Sequence, residues 1–92
     1  MLSEFEWDSG NWPKCGKHGL SQAEIEAVFQ MEPMVLPERS SGAEARYKAI
    51  GTTGSGSHVF VVFIYRNSRI RPISARYMHL KEKAIYERQT SA

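Results

Sequence analysis

The chain changes rhythm several times between polar and apolar positions, and each rhythm predicts an element. Phe5-Glu6-Trp7 alternates with period two and predicts a short first strand. Gly10, Pro13 and Gly16 disfavour a regular helix over residues 8–17. A short, irregular helix after Pro13, ended by Gly19, is expected there. Ser21-Gln22-Ala23-Glu24 has the form of a capping box, in which the Ser and Glu side chains satisfy free backbone N–H groups at a helix start. Ile25, Val28 and Phe29 then share one helical face, and Pro33 stops the helix. Residues 34–44 predict a loop with a short strand at Val35-Leu36.

The second half alternates differently. Residues 46–50 predict a strand with Tyr47 and Ala49 on one side and Arg46 and Lys48 on the other. Residues 51–57 are rich in Gly, Ser and Thr and predict a turn. Residues 58–65 are apolar and β-branched on both faces, which predicts a central strand covered on both sides. Arg66-Asn67-Ser68 predicts a hairpin turn into a strand over residues 69–75. Pro72 has no N–H for a ladder, so that strand needs an edge position or a bulge. Residues 76–89 predict a last helix with Tyr77, Leu80 and Ala84 on its inner face. The order gives an α+β domain: a small antiparallel meander sheet with two N-terminal helices and one C-terminal helix.

The length of 92 residues suits one domain over residues 1–92. The longest apolar run, residues 59–65, is far too short to span a bilayer, so no membrane segment is expected. Met1-Leu2-Ser3-Glu4 does not place a basic region before an apolar one, so no signal peptide is expected. Cys15 is the sole cysteine, which excludes an internal disulfide and fits a reducing, cytoplasmic setting. Net charge is only +2, but it is unevenly placed. Residues 1–45 carry three basic and eight acidic side chains, a net of −5; residues 46–92 carry nine and two, a net of +7. Such asymmetry fits a polyanion or an acidic protein as partner, or simply a basic solvated face.

Several chemistries are poorly supplied. His18, His58 and His79 are scattered, and no carboxylates cluster at ligand spacing, so neither a metal nor another cofactor is expected. Gly54-Ser55-Gly56 is turn chemistry and no phosphate loop. Cys15 with His18 three residues on offers a thiol nucleophile, but a lone small cysteine is more often buried packing. What remains is a set of cations with a few acid–base groups, an inventory suited to metal-free RNA cleavage. There the 2′-hydroxyl of RNA supplies the nucleophile. The protein must take its proton, neutralise the charge on the pentacoordinate phosphate, and protonate the leaving 5′-oxygen.

Five motifs in order resemble the BrnT toxin family: Phe5-Glu6-Trp7-Asp8; Lys17-His18-Gly19; Glu44-x-Arg46-Tyr47-x-x-Ile50-Gly51; Ile70-Arg71-Pro72-Ile73-Ser74-Ala75-Arg76; and Lys81-Glu82 with Tyr86-Glu87. Trp12-Pro13-Lys14-Cys15-Gly16 stands where common members carry a regular, charged helix. The resemblance implies a RelE-like fold, a cytoplasmic ribonuclease that blocks translation, and a cognate BrnA-type antitoxin. It also implies contact with DNA only through that antitoxin. A catalytically weak module that docks an antitoxin or nucleic acid through the basic half is the alternative, and an unrelated basic regulator is a third.

Arg46 is expected to act on phosphate, its competing role being a solvated sheet arginine or a partner of Glu44. Arg76 and Arg71 are the other catalytic candidates; by strict alternation they face opposite ways, unless Pro72 marks a bulge or Arg76 already belongs to the helix. Lys17 and His18 are candidates for proton transfer, or cations that cap a helix end. His79 is a catalytic candidate with a competing packing role, which it shares with Tyr86. Glu82 is read as an ordinary helical ion-pair residue. Lys48, Arg69, Lys81 and Lys83 are expected to contact RNA, and Trp7 and Trp12 to serve the core or the antitoxin.

Overall fold

The computed structural model describes residues 4–39, 42 and 44–90, the last by its backbone only. Residues 40, 41 and 43 of the expected 34–44 loop, and Met1-Leu2-Ser3, lie outside the described residues. The elements are a 3-10 turn at Lys14–His18, helix α1 at Gln22–Gln30, strands β1 at Met34–Glu38, β2 at Arg46–Thr52, β3 at His58–Arg66 and β4 at Arg69–Tyr77, and helix α2 at Leu80–Thr90. The four strands form one antiparallel meander in the order β1-β2-β3-β4.

The α+β meander is borne out; three helices are not. Among the described residues there are two α-helices, because the segment after Pro13 completes only a single 3-10 turn before Gly19 closes it at a positive φ of 96°. The expected first strand is also reduced. Phe5 makes one parallel bridge to Ile70, with Glu6 N–H donating to Ile70 O and Ile70 N–H to Glu4 O, both at 2.9 Å. This short contact closes the outer edge of β4 at one end.

Helix α1 begins as its capping box dictates. Ser21 Oγ accepts from Glu24 N–H at 3.1 Å, and Glu24 Oε1 accepts from Ser21 N–H at 2.9 Å. Ile25 and Val28 are fully buried, and Phe29 packs edge-on against Phe63. The helix comes down on β2 at Gly51, where a Cβ would stand 3.3 Å from Pro33 and 3.5 Å from Val28, so the missing side chain is what lets the two approach.

The core lies on one face of the sheet. Val59, Val61 and Phe63 of β3 join Ala49, Ala75, Cys15, Leu20, Ile25 and Val28 there, all buried. Trp7 and Trp12 pack against this core edge-on to each other, and Trp7 Nε1 donates to Glu26 at 2.8 Å. On the opposite face Phe60 and Val62 are only half-buried, so the expectation of a strand covered on both sides holds for one side and in part for the other.

β4 is an edge strand and carries a bulge. Val62 pairs with Ser74 and Phe63 with Pro72, so Ile73 has no opposite number. The strand also runs to Tyr77, two residues beyond its expected end at Ala75, because the ladder continues as far as the Val59–Tyr77 pair and Met78 N–H then bonds His58 O. Helix α2 therefore starts at Leu80 rather than residue 76, and its faces rotate. Leu80 is 87% exposed, and Tyr77 and Ala84 are exposed; Glu82, Ile85, Tyr86 and Gln89 turn toward Met34, Leu36, Ile50 and Phe60 instead.

Candidate active site on the open sheet face

Cross-strand partners point to the same side of a sheet. The register thus gathers Glu38 of β1, Arg46 and Lys48 of β2, Phe60 and Val62 of β3, and Ser74 and Arg76 of β4 on the face away from the core. A cleft of about 120 Å³ opens there, lined by Glu38, Lys48, Phe60, Ser74 and Arg76 together with His18 from the 3-10 turn. Sequence distances of tens of residues collapse here because each hairpin of the meander returns the chain to the same face.

Phe60 is the centre of the arrangement. Arg76 lies directly across the ladder from it, with its guanidinium 4.7 Å from the ring centroid. Lys48 Nζ approaches the same ring at 5.1 Å. Cations so placed are attracted to the ring's electron-rich face and lose conformational freedom. Each also meets a carboxylate. Lys48 Nζ is 3.6 Å from Glu38. Arg76 makes a two-toothed pair with Glu82 of α2, Nη1 to Oε1 at 2.8 Å and Nη2 to Oε2 at 2.9 Å, and Nη1 also donates to Tyr77 O at 3.2 Å.

These contacts set the protonation states. The Arg76 hydrogen bonds, helped by one from His79 N–H, hold the Glu82 carboxyl down at about 2, so it is ionised near neutrality. The same pairing raises Arg76 above the ordinary arginine range. Glu82 was expected to pair within its own helix; its partner is instead on β4, across the break between strand and helix.

The remaining sequence candidates scatter. Arg46 is on the same face, exposed, and its side chain has no hydrogen-bond or ion-pair partner among the described residues. The bulge brings Arg71 onto this face by register, opposite Ile64, yet Arg71 sits near the hairpin end and does not line the cleft. It is buried against Glu6 and Asp8 at 2.7–2.9 Å, and the hydrogen bonds it donates to Asp8 raise it above the ordinary arginine range. Arg69 pairs with Glu4 at 3.1 Å near the same hairpin. Lys17 is exposed in the last turn before Gly19, as a capping cation would be. His79 is exposed and serves the start of α2 through its backbone: its N–H bonds Glu82 and its carbonyl accepts from Lys83 N–H. Lys81 is exposed, and Lys83 lies beside Leu80 and Met78, outside the cleft. Burial pushes the Cys15 thiol up to about 11, which keeps it protonated and unreactive.

Sequence reasoning missed Glu38, Phe60 and Ser74. Glu38 had a usable signal, since a strand at Val35-Leu36 prolonged by two residues places it beside Lys48. Phe60 had none, because its apolar character suits a covered strand equally well. Among the described residues no three His, Cys, Asp or Glu side chains gather at metal-binding spacing. No helix among them is long and apolar enough to cross a membrane.

Comparison with known proteins adds one finding. A family model described as the ribonuclease toxin BrnT of a type II toxin–antitoxin system matches residues 7–82. That stretch holds every cleft residue from His18 to Arg76, and Glu82 is its last position. No curated protein matches the chain.

Proposed function

The chain belongs to the BrnT family of type II toxin–antitoxin ribonuclease toxins, and on that premise we propose that it is a metal-independent endoribonuclease whose active site is the open-face cleft. The observation that carries the reading is the meeting of Arg76, Lys48 and His18 in one cleft on an otherwise thinly covered sheet face. Arg76, fixed over Phe60, stabilises the pentacoordinate phosphate, where a planar fork matches paired oxygens. Lys48 and Arg46 hold the flanking phosphates. His18, which lines the cleft, moves protons, because an imidazole can both accept and donate one.

In this reaction the RNA 2′-oxygen bonds to phosphorus and its proton passes to a base. The bond from phosphorus to the 5′-oxygen then breaks, and that oxygen takes a proton. The products are a 2′,3′-cyclic phosphate and a free 5′-hydroxyl. The donor set supports metal independence, since all the chemistry needed is carried by cations and an imidazole. Cleavage of cellular RNA in the cytoplasm stops translation. A cognate BrnA-type antitoxin holds the toxin inert and brings the complex to DNA. The helix-flanked meander supports a RelE-like architecture.

Purified protein incubated with RNA in excess EDTA is the test. Cleavage with cyclic-phosphate ends is expected; activity that vanishes in EDTA and returns with a divalent ion would refute the metal-free mechanism.

A further inference from the structure

Both cations that line the cleft are already engaged by carboxylates from the flanking elements, Lys48 by Glu38 of β1 and Arg76 by Glu82 of α2. The second pair is the tighter. Glu82 takes the two terminal nitrogens of Arg76, the fork that grips paired oxygens end-on, and is itself tethered by His79 N–H at 2.9 Å. The helix that delivers it is lightly held. Leu80 is 87% exposed and Ile85 48% exposed, and His58 meets α2 edge-on at Tyr86 and through a long 3.6 Å contact with Glu87.

We propose that Glu82 occupies the place of an RNA phosphate, and that substrate binds by exchanging its phosphodiester for this carboxylate on Arg76. The inference rests on the ribonuclease reading above. It follows from competition: a phosphate oxygen pair and a carboxylate oxygen pair make the same two-toothed contact with a guanidinium, and its end-on pair of N–H groups holds one of them at a time. Arg76 stacked on Phe60 keeps its plane while the partner changes. The exchange also affects ion release. Binding a phosphate at a free arginine frees a counterion, whereas binding at Arg76 sets Glu82 free to collect a cation, and the two cancel.

The test measures binding of a non-cleavable, 2′-O-methyl oligonucleotide by anisotropy over a range of salt, for the full chain and for Glu82→Gln. Gln keeps the oxygen that accepts from His79 N–H, removes the charge, and puts an NH2 donor where the second oxygen accepts from Arg76 Nη2. Expected is a roughly three- to fivefold gain in affinity, the factor a half-exposed ion pair commands. The log–log salt slope should also steepen by about 0.7, one further phosphate neutralised on a single strand. Glu87→Gln, the same charge change on the same helix outside the cleft, is the control and should do neither. Equal affinity and slope in Glu82→Gln and the unaltered chain would overturn the exchange, as would weaker binding by Glu82→Gln or matching gains in Glu87→Gln. If the unaltered chain and Glu82→Gln both fail to bind the oligonucleotide and the unaltered chain fails to cleave RNA, it is the ribonuclease reading that falls.

Discussion

Arg71 grips Asp8 with both terminal nitrogens, at 2.8 and 2.9 Å, and shares the first of them with Glu6 at 2.7 Å. The contact joins residues 63 positions apart and ties the N-terminal segment to β4. It needs Gly10, whose N–H bonds Asp8 at 2.8 Å and where any Cβ would stand 2.8 Å from Arg71 Nη2. Asn11, buried beside it, donates to the carbonyls of Glu6 and of Pro72, so the same segment also braces the bulge. An arginine that the motif alone offers as catalytic is thereby committed to holding two pieces of chain together.

Acid should release this tie. The Arg71 hydrogen bonds, with that from Gly10 N–H, lower Asp8 from 3.8 to about 2. A depressed carboxyl contributes stability that is present above its ordinary value and lost as pH falls through the depressed one. The melting temperature of the unaltered chain should therefore fall between pH 4 and pH 2 more steeply than that of Asp8→Asn, which starts lower at neutral pH. Thermal melts at half-unit pH steps check this; parallel curves would show that the pair contributes nothing to folding.

Arg71→Ala should act on stability first. Arg71 is 9% exposed, and its loss leaves Asp8 without its ion-pair partner and Glu6 with only the longer Arg66 contact. A drop of roughly 5–10 °C in Tm is expected for one buried interaction in a domain of this size. Any RNA cleavage measured well below that Tm should be retained. A variant with an unchanged melt and abolished cleavage would instead move Arg71 into the catalytic machinery.

Much of the fold was legible because the signals were local. Ser21 and Glu24 are three residues apart and state their own geometry. Pro72 announces a bulge or an edge by lacking an N–H, and β4 uses both. The boundary at residue 76 was not legible, since Arg76 and Tyr77 suit a helix start, and what keeps them in the strand is the ladder to Val59 and Phe60 on another segment. The site was legible as residue types and not as an arrangement. Arg46, Lys48, His18 and Arg76 were visible as candidates, but the carboxylate partners of Lys48 and Arg76 were not: Glu38 comes from an edge strand, and Glu82 reaches back across the break between strand and helix. Arg71 and Arg76 look equivalent in the sequence, and it is the N-terminal segment folded onto β4 that gives them different surroundings.

His18 and Lys17 divide the same way. His18 lines the cleft and Lys17 does not. His18→Gln should lower the cleavage rate about 100-fold or more, the usual contribution of a positioned acid–base group, while Lys17→Ala stays near the unaltered rate. Single-turnover cleavage at saturating protein isolates the chemical step. Equal rates for the two variants would show that proton transfer belongs elsewhere, with Lys48 the next residue to change.

Binding of the antitoxin should hide the cleft. A toxin kept inert in a complex is most directly blocked by an acidic segment over its cationic face, where complementary charge also speeds association. Arg46, exposed in the free chain, should react with a guanidinium-modifying reagent alone and be protected in the complex, while Arg88 reacts in both. Peptide mass mapping reads the two sites in one experiment. Full reactivity of Arg46 in an inert complex would place inhibition at a distance from this face.

The decisive comparison is among three arginines that differ in surroundings. Arg76 is fixed over Phe60 inside the cleft, Arg46 is exposed on the same face, and Arg88 lies on α2 among residues that do not line the cleft. If Arg76 stabilises the phosphorane, Arg76→Ala should slow cleavage by about 100-fold or more, as loss of one transition-state donor does. Arg76→Lys should restore only part, because it keeps the charge and loses the fork. Arg46→Ala should mainly weaken RNA binding, raising KM more than it lowers kcat, since it holds a phosphate that does not react. Arg88→Ala should leave both unchanged. All three need matched melts, for an unfolded toxin is also inactive; Arg76→Ala will lose the Glu82 pair but not the core, so its melt should fall by no more than a few degrees. A folded Arg76→Ala that cleaves as fast as Arg88→Ala would remove the open sheet face from the mechanism.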